Sequence, residues 1–159
     1  MEITIITSAL GVWFMLYVTY LYVNFGWLHS ISASYYILQK QKKGRLFSLF
    51  CLGLGVGIIS LISFMPDNTQ GFFFFSGAGA LFVGAAVEYK KKLTEVVHYV
   101  GAGVLILFAF IGLALQGLGV LTLAFLLTSL VAFAIEKKNI IMKIELLAFL
   151  WIIIGLYIL

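Results

Sequence analysis

The residues best suited to chemistry in this sequence are a few acidic and imidazole groups embedded in apolar surroundings. His98 and Glu145 each lie near the start of a long apolar run, and Glu88 lies at the end of another. Ionisable side chains inside membrane segments are costly, so they usually face the bundle interior or a water-filled cavity. These three residues are therefore predicted to be polar anchor points for a ligand. The structural alternative is that they reach water at the membrane boundary or pair with nearby lysines.

A second group of candidates lies between the first two apolar runs. This segment contains His29 and Ser32, which we add to the predicted ligand anchors. Its apolar residues recur with helical spacing, which predicts either a short amphipathic helix on the membrane surface or a connector that shields the bundle. They are Leu28, Ile31, Tyr35 and Leu38. The segment ends in a basic cluster predicted to contact anionic lipid headgroups, formed by Lys40, Lys42, Lys43 and Arg45.

Catalytic motifs are not evident. The His-x-x-His and Glu-x-x-His spacings that place two metal ligands on one helix face are missing, and no Gly-x-Ser-x-Gly motif frames the serines at 30, 32 and 34. We therefore predict no catalytic residue, no metal and no cofactor. Cys51 lies in an apolar run and is interpreted as a packing residue.

The composition indicates which elements must position these groups. The 159 residues are 64% hydrophobic and 10% charged, and the mean hydropathy is +1.16. A soluble domain is nearer half apolar and a quarter charged, and a fold of this length would leave the excess apolar surface exposed. The chain is therefore predicted to be one all-α integral membrane domain over residues 1–159.

Six apolar runs are long enough to be membrane-spanning helices. They cover roughly residues 3–23, 46–64, 71–87, 97–115, 118–135 and 142–159. A single helix over 97–135 would be about 58 Å long, nearly twice the hydrocarbon thickness, so we predict a tight turn at Gln116–Gly119. Glu2 stands where a signal peptide would be basic, so the first run is predicted to be a span rather than a cleavable signal.

The basic residues predict the orientation of the bundle. All ten lie in the loops after the first, third and fifth runs, and cytoplasmic loops carry the excess of lysine and arginine. These loops are therefore predicted to face the cytoplasm and both chain ends to lie outside it, in the plasma membrane. The net charge of +4 is explained in this way, without nucleic-acid binding.

Small residues predict close packing of the inner helices. Four positions spaced by four form one stripe on the third run, Ser76, Ala80, Gly84 and Glu88, and Gly53 and Gly57 form a similar pair on the second. In lipid, such faces let helices approach closely, within one chain or between copies, so a homo-oligomer or a membrane partner protein is also expected.

Three short motifs resemble the six-span membrane superfamily of the DRAM and FRAG type. They are Ser30-Ile31-Ser32 after the first span, the stretch from Val97 to Ala102 that opens the fourth, and Glu145 with Trp151 in the last. The resemblance implies a non-enzymatic or lipid-related role. In that family the first loop faces the lumen or exterior, whereas the basic residues here predict a cytoplasmic loop.

The favoured interpretation is a small multipass protein that binds a lipid, an apolar small molecule or a membrane partner near its cytoplasmic face. One alternative is a transporter or channel subunit, whose path would depend on backbone groups at glycines and on the hydroxyl groups of Ser60, Ser63, Thr122 and Thr128. Another is a membrane-embedded hydrolase that uses metal-bound water.

Overall fold

Helices make up nearly all of the computed structural model, which describes residues 2–86, 91–135 and 137–159, with the backbone alone for 91–95. No strand occurs within these ranges, which confirms the all-α class. The described residues form seven α-helices: α1 (Glu2–Phe25), α2 (Ser34–Lys40), α3 (Arg45–Ser60), α4 (Asp67–Ala85), α5 (Lys91–Leu113), α6 (Gly119–Ile135) and α7 (Ile140–Ile158). A short 3-10 turn, Ile62–Phe64, follows α3.

Four helical segments among the described residues are long and apolar enough to cross a membrane. They are Glu2–Phe25, Arg45–Phe64, Val96–Ile135 and Ile140–Ile158. Large apolar side chains are exposed along them, including Leu16, Val56 and Leu127. Exposed apolar surface of this extent is typical of an integral membrane protein.

The segment Val96–Ile135 is broken at its middle. Gln116 and Gly117 have non-helical backbone angles, with φ of +83° at the glycine. The rings of Phe110 and Phe125 stack with centroids 4.8 Å apart, whereas fifteen residues of continuous helix would separate them by about 22 Å. The chain therefore reverses between α5 and α6, as the predicted turn requires.

Two helices begin earlier than the apolar runs predict. α4 begins at Asp67 rather than at 71, and α5 begins at Lys91 rather than at 97. Pro66 has an extended backbone (ψ 143°) and starts α4, and the carboxylate of Asp67 in the first turn suits the positive end of the helix dipole. Hydropathy marks the apolar part of a helix, so it misses polar turns of the same helix.

α4 lies between α3 and α5 and approaches both closely. A Cβ atom added to Gly55 would lie 2.8 Å from the carbonyl oxygen of Gly77, and one added to Gly79 would lie 2.6 Å from that of Gly101. The buried hydroxyl of Ser76 donates a hydrogen bond to the backbone of α5. Ala80 and Gly84 are also buried, so the small-residue stripe packs as predicted over its described part.

The glycine pair on α3, Gly53 and Gly57, contacts α1 rather than α4. Side chains added at Gly53 and Gly57 would collide with Trp13 and Leu10 of α1. These glycines therefore accommodate side chains of α1 rather than the backbone of α4.

Contacts between helix ends show how the helices alternate. The backbone N–H of Met142, at the start of α7, donates to the carbonyl of His29 in the loop after α1 (3.1 Å). At the opposite end of the bundle, the amide of Gln116 in the α5–α6 turn donates to Thr69 at the start of α4 (3.2 Å). The first part of α1 meets the last part of α7, where Ser8 and Tyr157 share a hydrogen bond of 2.6 Å.

Candidate functional site

The segment between α1 and α2 folds into the bundle. Residues 26–33 form no regular helix, and α2 begins only at Ser34. Leu28, Ile31 and Leu38 are buried, so they face protein rather than a membrane surface. A helix over 28–38 is therefore wrong for its first half, and the alternative of a connector that shields the bundle fits the observed burial.

Hydrogen bonds to α7 explain why this connector is not helical. The backbone N–H of Ile31 donates to Oε2 of Glu145 at 2.6 Å, and the carbonyl of His29 accepts from Met142. The first N–H groups of a helix have no partner within it, so the connector satisfies one of these groups of α7. A longer contact of 3.5 Å joins the Asn139 side chain to the carbonyl of Trp27.

The serines of the connector are held by one another, and the first serine of α2 is held by α1. The hydroxyl of Ser30 accepts from the N–H of Ala33 and lies 3.0 Å from the hydroxyl of Ser32. Ser34, which is fully buried, shares a 2.7 Å hydrogen bond with the hydroxyl of Tyr17. Buried hydroxyls are expensive when unpaired, so these bonds fix the connector in one conformation.

An inner cavity of about 60 Å³ lies between the connector and the helices. Its polar lining residues are Ser32 of the connector, His98 of α5 and Glu145 of α7. The other lining side chains are apolar and come mainly from α3, α4 and α5; they include Phe47, Phe50, Leu54, Val83, Leu105 and Ile106. A hydroxyl, an imidazole and a carboxyl group are therefore presented to a small volume with apolar walls.

An outer cavity of about 210 Å³ adjoins the inner one and shares Ser32, Phe47 and His98 with it. His29, which is exposed, lines only the outer cavity, together with Tyr36 and Tyr99. The outer cavity is therefore the more polar of the two, and its exposed aromatic rims suit the headgroup level of a membrane.

Comparisons with models of known protein families, with curated proteins and with solved structures found no match. The resemblance to the DRAM and FRAG type therefore stays a prediction. The chemistry that the site can perform is therefore inferred from the residues that line the two cavities.

The structure brings together four of the five predicted anchor residues. Ser32, His98 and Glu145 line the inner cavity, and His29 joins Ser32 and His98 at the outer one. Glu88 lies outside the described residues. The predicted headgroup contacts are all exposed and line neither cavity; they are Lys40, Lys42, Lys43 and Arg45.

One structural residue of the site, Tyr17, was not predicted from the sequence. Tyr17 reaches from α1 to Ser34 and stacks on Phe50, a wall residue of the inner cavity, with ring centroids 4.0 Å apart. The only available signal was a tyrosine deep within an otherwise apolar run. Buried hydroxyl groups of this kind need a partner, but the sequence does not identify it.

The described part of the chain contains no group of three or more histidine, cysteine or acidic side chains placed to hold a metal ion. Cys51 is buried and contributes to the wall of the inner cavity. Hydrogen bonding and apolar contact are the interactions that the described residues offer to a ligand.

Proposed function

We propose that this protein binds a small amphiphilic molecule, a lipid or another apolar compound with one polar end, in the inner and outer cavities. The supporting observation is the convergence of Ser32, His98 and Glu145 from three distant parts of the chain on one cavity with otherwise apolar walls. Apolar walls with a few convergent polar groups are the usual form of a small-molecule site.

The size of the cavities limits what the site can hold. Drug-sized ligands occupy pockets of roughly 300–1,000 Å³. The two cavities, at about 60 and 210 Å³, fall below this range. The proposed ligand is therefore a small molecule, or one end of a longer molecule whose remainder lies in the membrane.

We further propose that the chain crosses the plasma membrane six times, with the site near the cytoplasmic face. α4 and α6 have 19 and 17 described residues, about 28 and 25 Å of helix, close to the hydrocarbon thickness of about 30 Å. The contact of Met142 with His29 joins the connector to the start of α7, so two of the basic loops lie at one end of the bundle. Cytoplasmic loops carry the excess of basic residues, which supports this orientation.

Binding is tested with dansyl-labelled dodecyl chains that end in a hydroxyl, an amine or a carboxyl group. The full-length protein is purified in detergent, and the fluorescence change gives the affinity for each probe. Solvent extraction and mass spectrometry of the same preparations identify molecules that co-purify. We expect at least one probe to bind, and a co-purified amphiphile to compete with it.

Variants of the three polar residues locate the binding site. Ser32→Ala, His98→Ala and Glu145→Gln each remove a hydrogen-bonding or charged group, and each is expected to weaken probe binding about three- to tenfold. Val100→Ala is the control, because Val100 is exposed on the same helix as His98 and lines neither cavity. Unchanged affinity in all three site variants, or binding of none of the probes and no co-purified molecule, would reject the proposal.

No specific observation favours a transport path. The hydroxyl of Ser60 donates to the backbone of its own helix, and Thr128 does the same while accepting a hydrogen bond from Trp151. The hydroxyls of Ser60 and Thr128 are therefore occupied within the protein, whereas the buried hydroxyl of Thr122 has no hydrogen-bond partner among the described residues. Ligand binding at the two cavities is the function that the geometry supports best.

A further inference from the structure

A separate groove of about 740 Å³ lies on the outer surface of α3 and α4. Its floor contains the small residues Gly84 and Ala85, and apolar side chains from both helices flank it: Leu49, Leu52 and Leu81. Arg45, the first residue of α3, lines one end and is exposed. Among the described lining residues, Arg45 carries the only charge.

This groove is distinct from the inner cavity. The cavity is lined by Phe47, Phe50, Cys51 and Leu54, on another side of α3 from Ser48, Leu49 and Leu52. The contact between α3 and α4 separates the two openings. There the Ser48 hydroxyl donates to the carbonyl of Gly84 at 3.1 Å, and a Cβ atom on Gly84 would lie 2.7 Å from that of Cys51.

We propose that this groove binds an anionic phospholipid, with the phosphate at Arg45 and one acyl chain along the apolar floor. From Arg45 to Leu52 the groove follows α3 for about 10 Å, so a headgroup contact at its end leads directly into an apolar channel. The small, exposed side chain of Ala85 leaves the space that a chain would fill. The positive end of the groove complements the phosphate, and its apolar lining complements the first part of an acyl chain.

Arginine is the residue suited to this role. Its planar guanidinium group binds phosphate oxygens through two parallel hydrogen bonds, whereas a lysine acts as a point charge. Three lysines lie just before Arg45 in the same loop and do not line the groove: Lys40, Lys42 and Lys43. The proposal therefore assigns a specific site to Arg45 and only general attraction to the lysines.

The test counts phospholipids that remain bound to the full-length protein. The purified protein is mixed with equal amounts of phosphatidylglycerol and phosphatidylcholine of matched chain length, and retained lipids are counted by native mass spectrometry. We expect one phosphatidylglycerol to be retained in preference to phosphatidylcholine. Arg45→Gln is expected to reduce its retention about fivefold, whereas Lys42→Gln, which removes the same charge from an exposed site in the same loop, leaves retention nearly unchanged.

A second variant tests the groove without changing its charge. Ala85→Leu fills the floor at an exposed position and is expected to lower retention of phosphatidylglycerol to a similar extent. Equal retention of the two lipids, equal effects of Arg45→Gln and Lys42→Gln, or no effect of Ala85→Leu would each overturn the proposal. His98→Ala is expected to leave this retention unchanged, so failure here is distinguishable from failure of the cavity proposal.

Discussion

Glu145 has two roles that its position makes compatible. Its Oε2 atom accepts the N–H of Ile31 and so holds the connector against α7, while the same side chain lines the inner cavity. A carboxyl group in an apolar wall is costly unless it is hydrogen-bonded, and the connector supplies that bond. The connector and the polar wall of the cavity therefore depend on the same side chain.

Substitution of Glu145 is expected to separate these roles. Glu145→Leu leaves the N–H of Ile31 without its partner, which costs about 1–3 kcal/mol and lowers the thermal midpoint in detergent by about 5 °C. Glu145→Gln keeps an acceptor oxygen, so its midpoint is expected to remain within about 2 °C of the parent protein. The two variants are compared by thermal unfolding and by tryptic cleavage at the exposed Lys40, Lys42 and Lys43. Equal stability of the two variants would contradict a bracing role.

Residue types alone indicated part of this site. His98 and Glu145 stand out because ionisable side chains are rare inside apolar runs and have few places to face. The bond between Tyr17 and Ser34 was not predictable, because serine and tyrosine occur in many environments and the pairing is purely tertiary. Sequence reasoning finds groups that are costly in lipid, but it does not find the partners that satisfy them.

At the scale of the elements, α4 determines how closely the central helices pack. Its small residues face α3 on one side and α5 on the other, and both neighbours place backbone atoms against it. Such contacts replace the hydrophobic effect, which gives little force between helices inside lipid. The inner cavity lies where these three helices open toward the connector and α7.

Two glycine substitutions test this packing. A methyl group at Gly79 would lie 2.6 Å from the Gly101 carbonyl oxygen and from the Leu105 nitrogen. Gly79→Ala therefore forces α4 and α5 apart and is expected to lower the free energy of unfolding by about 1–3 kcal/mol. Gly103→Ala is the matched control, since nothing lies within 4 Å of an added Cβ there. It is expected to be neutral or to stabilise α5 by up to about 1 kcal/mol. The thermal midpoints of both variants are compared in one detergent. An equal decrease in the midpoint of the two variants would argue against close α4–α5 contact.

The turn between α5 and α6 is tested in the same way. Gly117 has a φ of +83°, where a side chain is strained, so Gly117→Ala is expected to cost about 1–2 kcal/mol. Gly119→Ala is the control, because an added Cβ there meets its nearest neighbour at an ordinary 3.8 Å and the backbone is helical. A drop in thermal midpoint for Gly117→Ala alone is expected. Equal midpoints for the two variants would mean that the turn does not depend on the glycine.

Helix patterns predicted most of the elements but not their partners. The small-residue stripe on α4 was predicted from spacing by four, because that spacing places residues on one helix face. The same reasoning assigned Gly53 and Gly57 to close backbone packing, and they instead accommodate Trp13 and Leu10. Leu28 and Ile31 had helical spacing by coincidence, since burial in an irregular connector imposes no period, whereas Tyr35 and Leu38 do lie on one helix, α2.

At the scale of the whole molecule, the proposed orientation determines which solution the outer cavity meets. The connector, through His29, joins the start of α7 at one end of the bundle, and Gln116 of the α5–α6 turn contacts Thr69 at the start of α4 at the other. If the basic loops face the cytoplasm, the outer cavity opens at the cytoplasmic headgroup level. A ligand would then enter from the inner leaflet or from the cytoplasm.

Single-cysteine labelling in intact cells tests this orientation. Cys51, which is buried, is first changed to alanine. One cysteine is then placed at an exposed position, in a basic loop (Lys42→Cys or Lys138→Cys) or in the first turn of α4 (Asn68→Cys). A membrane-impermeant maleimide is expected to label residue 68 in intact cells, because that turn lies at the end opposite the basic loops. Residues 42 and 138 are expected to be labelled only after the membrane is permeabilised, since the excess of lysine and arginine keeps their loops inside. Labelling of residue 42 in intact cells, with residue 68 protected, would invert the bundle and place the outer cavity on the exterior, as the family resemblance implies for its first loop. With six spans, an even number of crossings separates the loops at 42 and 138, so both loops lie on the same side of the membrane. Labelling of residues 42 and 138 on opposite sides would therefore contradict six spans.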